Sequence, residues 1–160
     1  MRPKTTIFAA AFATGLVATP AFAIDIAERV DVAVSVDQAW GAIAEFCSIK
    51  DWHPVVAECE QFEKDGVTMR RLVTGDGGEI LEELNEMNDA GRSYTYSIID
   101  SPLPVADYVS TMTVTGNGDG ATIEWSSNFN ANGAGDDEAI EVMTGIYRAG
   151  LDELKSRLSP

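Results

Sequence analysis

The residues best equipped for chemistry in this sequence are an arginine, a glutamate and a set of aromatics with polar tips. Glu82 sits between Ile80 and Leu84 in an alternating stretch, so all three share one side of a strand. A carboxylate between two apolar neighbours needs a cation or several donors. If Gly75-Asp76-Gly77 is a three-residue hairpin loop, Thr74 faces Gly78, Leu72 faces Ile80 and Arg70 faces Glu82. A four-residue loop ending at Gly78 puts Arg71 there instead. The first register keeps apolar against apolar on one face, which makes Arg70–Glu82 the candidate polar anchor. The same pair read structurally does no more than fix strand register.

The other candidates follow from parity. Ile123, Trp125, Ser127 and Phe129 share one face of the last strand, Tyr108, Ser110, Met112 and Val114 one face of the strand before it, and Tyr94, Tyr96 and Ile98 one face of the strand before that. Such an interior is rich in aromatics and hydroxyls, where a solid core is more often Val, Leu and Ile. It suits the wall of a cavity, with Met143 and Tyr147 added from the C-terminal helix. The alternative is a filled core with tyrosine hydroxyls reaching the rim. His53, the only histidine, stands beside Pro54 at a corner and reads as a cap or rim residue. No His/Cys/Asp/Glu grouping has zinc spacing, and neither a nucleophile elbow nor a phosphate loop is present. No catalytic residue, metal or cofactor is therefore assigned; Glu82, Tyr96, Tyr108 and His53 are the plausible acids or bases, but they form no recognisable constellation.

Elements that could position these groups are readable along the chain. Residues 24–34 alternate as an edge strand. Ser35 with Gln38 forms a capping box ahead of Ala39, Trp40, Ile43 and Ala44 at helical spacing, and a second short helix spans 48–52, before Pro54. Six strands follow over 55–62, 67–74, 79–87, 92–100, 106–115 and 121–130. Turn signals between them imply an antiparallel meander. A long helix over 136–158 closes the chain, acidic at its start, basic in its last turn, with an apolar stripe of Ile140, Met143, Tyr147, Leu151, Leu154 and Leu158. A seven-stranded sheet must cover its apolar face, and only this helix is long enough.

The N-terminus reads as a cleavable signal peptide, residues 1–23. Arg2 and Lys4 precede the apolar run Ile7–Val17, and Ala21-Phe22-Ala23 is a small-x-small cleavage site. An uncleaved anchor is the alternative. The expected mature domain is 24–160, periplasmic or secreted, with 9 basic against 26 acidic residues, or −17. That charge opposes nucleic acids and anionic lipid surfaces and leaves docking on a basic partner protein open. In an oxidising compartment Cys47 and Cys59 read first as a disulfide, two buried thiols being the alternative.

In order and spacing, Val34 with Trp40 and Phe46, Asp51-Trp52-His53-Pro54, Met69-Arg70-Arg71-Leu72, Leu81-Glu82-Glu83-Leu84, Tyr94-x-Tyr96-x-Ile98, Leu103-Pro104-Val105-x-x-Tyr108 and Glu124-Trp125-Ser126 resemble the polyketide cyclase/dehydrase and lipid-transport proteins of the START-like (SRPBCC) superfamily, particularly small exported bacterial members. The resemblance implies an α+β helix-grip fold with a seven-stranded antiparallel sheet curved around the C-terminal helix and a cavity between them. More distantly the chain is similar to plant abscisic acid receptors, in which the loop at 75–78 corresponds to a gate and that at 101–105 to a latch. The receptors' gate motif is missing here, so hormone sensing does not carry over. Trp52, His53, Pro54, Gly77, Leu103 and Pro104 are placed at the cavity mouth. The leading expectation is a binding protein for a small apolar or amphipathic molecule. A periplasmic accessory protein acting through contacts, for which a methanol-oxidation-associated superfamily member is the kind of precedent, comes second. A cyclase- or dehydratase-type enzyme comes third.

Overall fold

The computed structural model describes residues 23–159, and the signal-peptide reading of 1–23 falls almost wholly outside the described residues. Strand β1 (Ile24–Val32) leads through Ser35 into α1 (Val36–Ile43) and α2 (Ile49–Trp52). The meander follows as β2 (Val56–Lys64), β3 (Val67–Thr74), β4 (Glu79–Asn88), β5 (Ser93–Asp100), β6 (Val105–Gly116) and β7 (Ala121–Ala131). Helix α3 (Asp136–Leu158) closes the chain. The Ser35–Gln38 capping box is complete in both directions, so the start of α1 is set by local hydrogen bonding before any tertiary contact.

The sheet order is β1-β7-β6-β5-β4-β3-β2, antiparallel throughout, with β1 an edge strand as expected. β3 and β4 take the register with Leu72 opposite Ile80 and Arg70 opposite Glu82, and the backbone N–H of Thr74 donates to the Gly78 carbonyl across the loop. Irregular pairings in β4/β5 and at Ala106/Val109 in β6/β7 bend the sheet. At the latter, Asp107 takes the left-handed conformation (φ 52°), and its carboxylate accepts a 3.0 Å bond from Asn130 Nδ2.

The concave face packs on α3, whose buried side consists of Ala139, Met143, Tyr147, Gly150, Leu151 and Leu154. Ile140 and Leu158, expected in the stripe, lie at its margins and are half-buried. Acidic residues in the first turn and Lys155 and Arg157 in the last complement the helix dipole. The α1–α2 corner is tied to β2 by the Cys47–Cys59 disulfide, with Cα atoms 5.6 Å apart.

Gly150 fixes how closely α2 approaches α3. A Cβ there would lie 2.6 Å from His53 Cδ2 and 2.9 Å from Trp52 Cζ3, both on rings held inside the core. Gly150→Ala gains helix propensity but overpacks this contact, so it should lower unfolding free energy by about 1–3 kcal/mol. Urea denaturation checks this, and a stabilised variant would show that the α2 corner is free to move.

Candidate functional site

The curved sheet and α3 border a cavity of about 530 Å³, lined by residues from α2 and its following loop, from β2 to β7 with their loops, and from α3. That volume lies within the roughly 300–1,000 Å³ usual for small-molecule pockets. Its wall is largely Leu72, Ile80, Ile98, Leu103, Met143 and Ile146. Polar groups come from Glu82, Tyr96, Tyr108 and Tyr147, with His53, Thr74 and Asp76 elsewhere in the lining, and Trp125 is also part of it. Strand parity delivers the sheet residues to this face, and helical spacing delivers Met143 and Tyr147 opposite them.

Hydroxyls and an indole form one connected polar cluster. Trp125 Nε1–H is shared between Tyr96 Oη and Ser110 Oγ, each 3.0 Å away. Ser110 Oγ–H donates in turn to the Ser126 carbonyl at 2.8 Å. Tyr108 Oη is bonded to Tyr147 Oη and stands 3.5 Å from Tyr96 Oη. The Trp125 and Tyr147 rings stack at 4.4 Å with planes 10° apart, which fixes Tyr147 on the helix against the sheet. Burial raises the pKa of Tyr96 and Tyr108 well above the ordinary phenol value, and that of Tyr147 above it, so these hydroxyls are neutral at physiological pH. They can donate and accept hydrogen bonds but supply no phenolate base.

Arg70 and Glu82 meet on the inner face, 0% and 4% exposed, with Arg70 Nε donating to Glu82 Oε2 at 2.5 Å. Arg70 Nη1 donates to the backbone carbonyl of Phe46. The guanidinium carbon lies 3.9 Å from the Phe46 ring centroid and 4.9 Å from that of Tyr96, and these two rings meet edge-on, so the cation sits in the corner between them. Burial works against the charge of Arg70, but Glu82 and the neighbouring tyrosines more than offset it and its pKa is raised. Burial pushes the Glu82 carboxyl up, and the guanidinium, which keeps its proton in proteins, pulls the other way.

His53 is locked in place. Its Nε2–H donates to the Ile146 carbonyl at 3.0 Å, and Nδ1 accepts from the Val55 N–H at 3.4 Å. This fixes a neutral tautomer and ties the α2 corner to α3. Burial lowers its pKa below 6.5, with the Arg70 charge adding to the effect and the Ile146 carbonyl opposing it.

Several expected positions are corrected. Arg70 forms no part of the cavity lining, because Phe46 and Tyr96 cover its guanidinium; Glu82 alone of the pair reaches the cavity. Tyr94 is buried but packs on Trp40 and Phe46, away from the cavity, since the α1–α2 corner fills that end of the cup. Trp52 is a core residue and not a mouth residue: its ring meets Trp125 edge-on at 5.7 Å, and its N–H points back to Ser48 Oγ. Gly77 is the outward tip of its loop, with φ +89°, and the flanking Gly75, Asp76 and Gly78 border the mouth instead. Pro104 is turned away, its carbonyl accepting from Asn132 N–H, and Pro102 and Leu103 line the cavity in its place. His53, Pro54, Leu103, Glu82, Tyr96, Tyr108, Trp125, Met143 and Tyr147 all line it. Among the described residues, no group of three or more His, Cys, Asp or Glu is placed to hold a metal ion.

The family profile described as "Polyketide cyclase / dehydrase and lipid transport" matches residues 23–159. The chain belongs to this family. Its ligand-binding fold is shared by the protein XoxI from Bacillus cereus, 34% identical, TM-score 0.79, with 84% of this chain and 94% of that chain covered. A Bacillus thuringiensis protein is also 34% identical, with TM-score 0.78 and coverage of 84% and 98%. The Zhui aromatase/cyclase from Streptomyces sp. R1128 shares the helix-grip fold at 18% identity, TM-score 0.70, with 86% and 94% covered. No curated protein sequence matches significantly.

Two measurements test this geometry. Glu82→Ala leaves the Arg70 guanidinium buried without its counter-ion, so stability should fall by about 3–5 kcal/mol in chemical denaturation. A loss below about 1 kcal/mol would mean that water reaches and replaces the carboxylate. For His53, the folded pKa lies below the unfolded 6.5, so the unfolded chain takes the proton first. The contribution of neutral His53 is intact above pH 6.5 and drains away as pH falls below it. His53→Gln, which keeps a donor for Ile146, should flatten the stability profile in that window; an unchanged slope would locate the pH dependence elsewhere.

Proposed function

We propose that this protein is an exported binding protein for a small apolar or amphipathic molecule, held between sheet and α3. The observation that carries the reading is the cavity itself: apolar side chains dominate its wall, while its few polar groups converge from β4, β5, β6 and α3. Ligand pockets have this composition, because apolar area supplies affinity and a few placed polar groups supply orientation. The same cluster offers neither a phenolate nor a free imidazole as a base. Its phenols are neutral, and both ring nitrogens of His53 are occupied by backbone partners. Export rests on the basic, apolar and small-residue order of the first 23 residues. The Cys47–Cys59 disulfide fits an oxidising destination.

The mature charge of −17 supports a second reading, docking on a basic partner protein in the same compartment.

Native mass spectrometry on protein released gently from the exported fraction tests both. A chain beginning at Ile24 with a non-covalent small-molecule adduct is the expected result. An intact leader would overturn export. A ligand-free chain that refuses every apolar probe, yet associates with a basic protein in a salt-dependent way, would move the assignment to the second reading.

A further inference from the structure

Within the binding reading just given, the cavity's own chemistry narrows the class of ligand. Its lining contains no lysine or arginine. The cation paired with the lining residue Glu82, Arg70, is engaged: Nε is on Glu82, Nη1 is on the Phe46 carbonyl, and aromatic rings cover the guanidinium. Its remaining nitrogen, Nη2, has no hydrogen-bond partner among the described residues, but it is buried and presents no accessible surface to a ligand. His53 offers nothing, since both ring nitrogens are turned to backbone groups. Acceptors are another matter. Glu82 lines the cavity, and its single hydrogen bond among the described residues goes through Oε2. Oε1 is without a protein partner and is not among the sealed-off polar atoms. A second carboxylate, Asp76, borders the mouth.

From these groups we infer that the cavity selects amphiphiles whose head carries an N–H or O–H donor, uncharged or cationic, and rejects those headed by a carboxylate or phosphate. A donor of this kind can bond Glu82 Oε1, and charge-assisted bonds are about twice as strong as neutral ones. An anionic head would meet Glu82 with no cation to answer it, and would lose its water shell on entry. The tyrosine cluster can still serve an ether or carbonyl elsewhere on the ligand, because its hydroxyls donate as well as accept.

The test compares decanol, decylamine and decanoate, which share one alkyl chain, as competitors of the neutral fluorophore N-phenyl-1-naphthylamine bound to the mature protein. Work at neutral pH and about 1 M salt, where screening shortens to roughly 3 Å, suppresses the general pull and push of the acidic surface. Decanol and decylamine should displace the probe at least about tenfold more strongly than decanoate, the ratio expected for one hydrogen bond to a charged group. The double variant Arg70→Met/Glu82→Met removes both charges together, a replacement that folds preserve better than breaking the pair. There the ratio should close to within about threefold. Decanoate binding as tightly as the alcohol in the native chain would overturn the head-group assignment while leaving the binding reading intact. So would a ratio unchanged in the double variant. If the probe and all three competitors fail to bind, the binding reading fails and this inference falls with it.

Discussion

A guanidinium in the interior is the constraint around which much of this molecule is arranged. Arg70 has no water to fall back on, so each interaction that tolerates its charge must come from a defined place. Glu82 supplies the counter-charge only in one β3–β4 register. Phe46 supplies a carbonyl and a ring face only if the chain after α1 turns inward at that point. Tyr96 supplies a second ring from β5. One cation therefore ties three strands and the α1–α2 corner to a single geometry. The disulfide at Cys47 secures that corner one residue further on.

The cavity borders this anchor without containing it. Tyr96 has one ring face toward the arginine while its hydroxyl accepts from Trp125 within the cavity cluster. Trp125 stacks on Tyr147 of α3, and Trp52 and His53 pack edge-on against Trp125. A change in the cavity wall can thus act on the buried ion pair directly, because Tyr96 and Glu82 belong to both. Gly150 admits the α2 corner on the other side, so wall, corner and helix are mutually positioned by aromatic contact and not by loop conformation.

The parts visible in the sequence were those governed by strict periodicity or by pairwise chemistry. Parity alone placed Trp125, Tyr108 and Tyr96 inward, and the need of Glu82 for a cation chose between two registers. The family resemblance supplied the cavity between sheet and helix. What the sequence did not reveal depends on contacts between distant segments. Tyr94 obeys the same parity as Tyr96, yet the corner carrying Phe46 and Trp40 fills the space before it. Trp52 and His53 are adjacent in sequence, but only the histidine reaches the cavity, because the indole N–H turns back to Ser48 Oγ. The Phe46 carbonyl has no sequence signal, since every residue carries one. The left-handed Asp107 was equally hidden: nothing in Ala106-Asp107-Tyr108 separates a bulge from an uninterrupted strand, and only the altered pairing with β7 reveals it.

The placement of β1 has a consequence for the order in which the molecule can be built. Its residues pair only with β7, and Ile24 lies against Phe129, more than 100 positions later in the chain. The meander from β2 to β7 can zip through neighbouring hairpins, whose closure entropy is small. The first strand has no partner until almost the whole polypeptide is available, so the sheet is finished from its two ends of sequence at the last moment. Until then its residues have no partner in the sheet. The topology thus ties the closing of the cup to the arrival of β7.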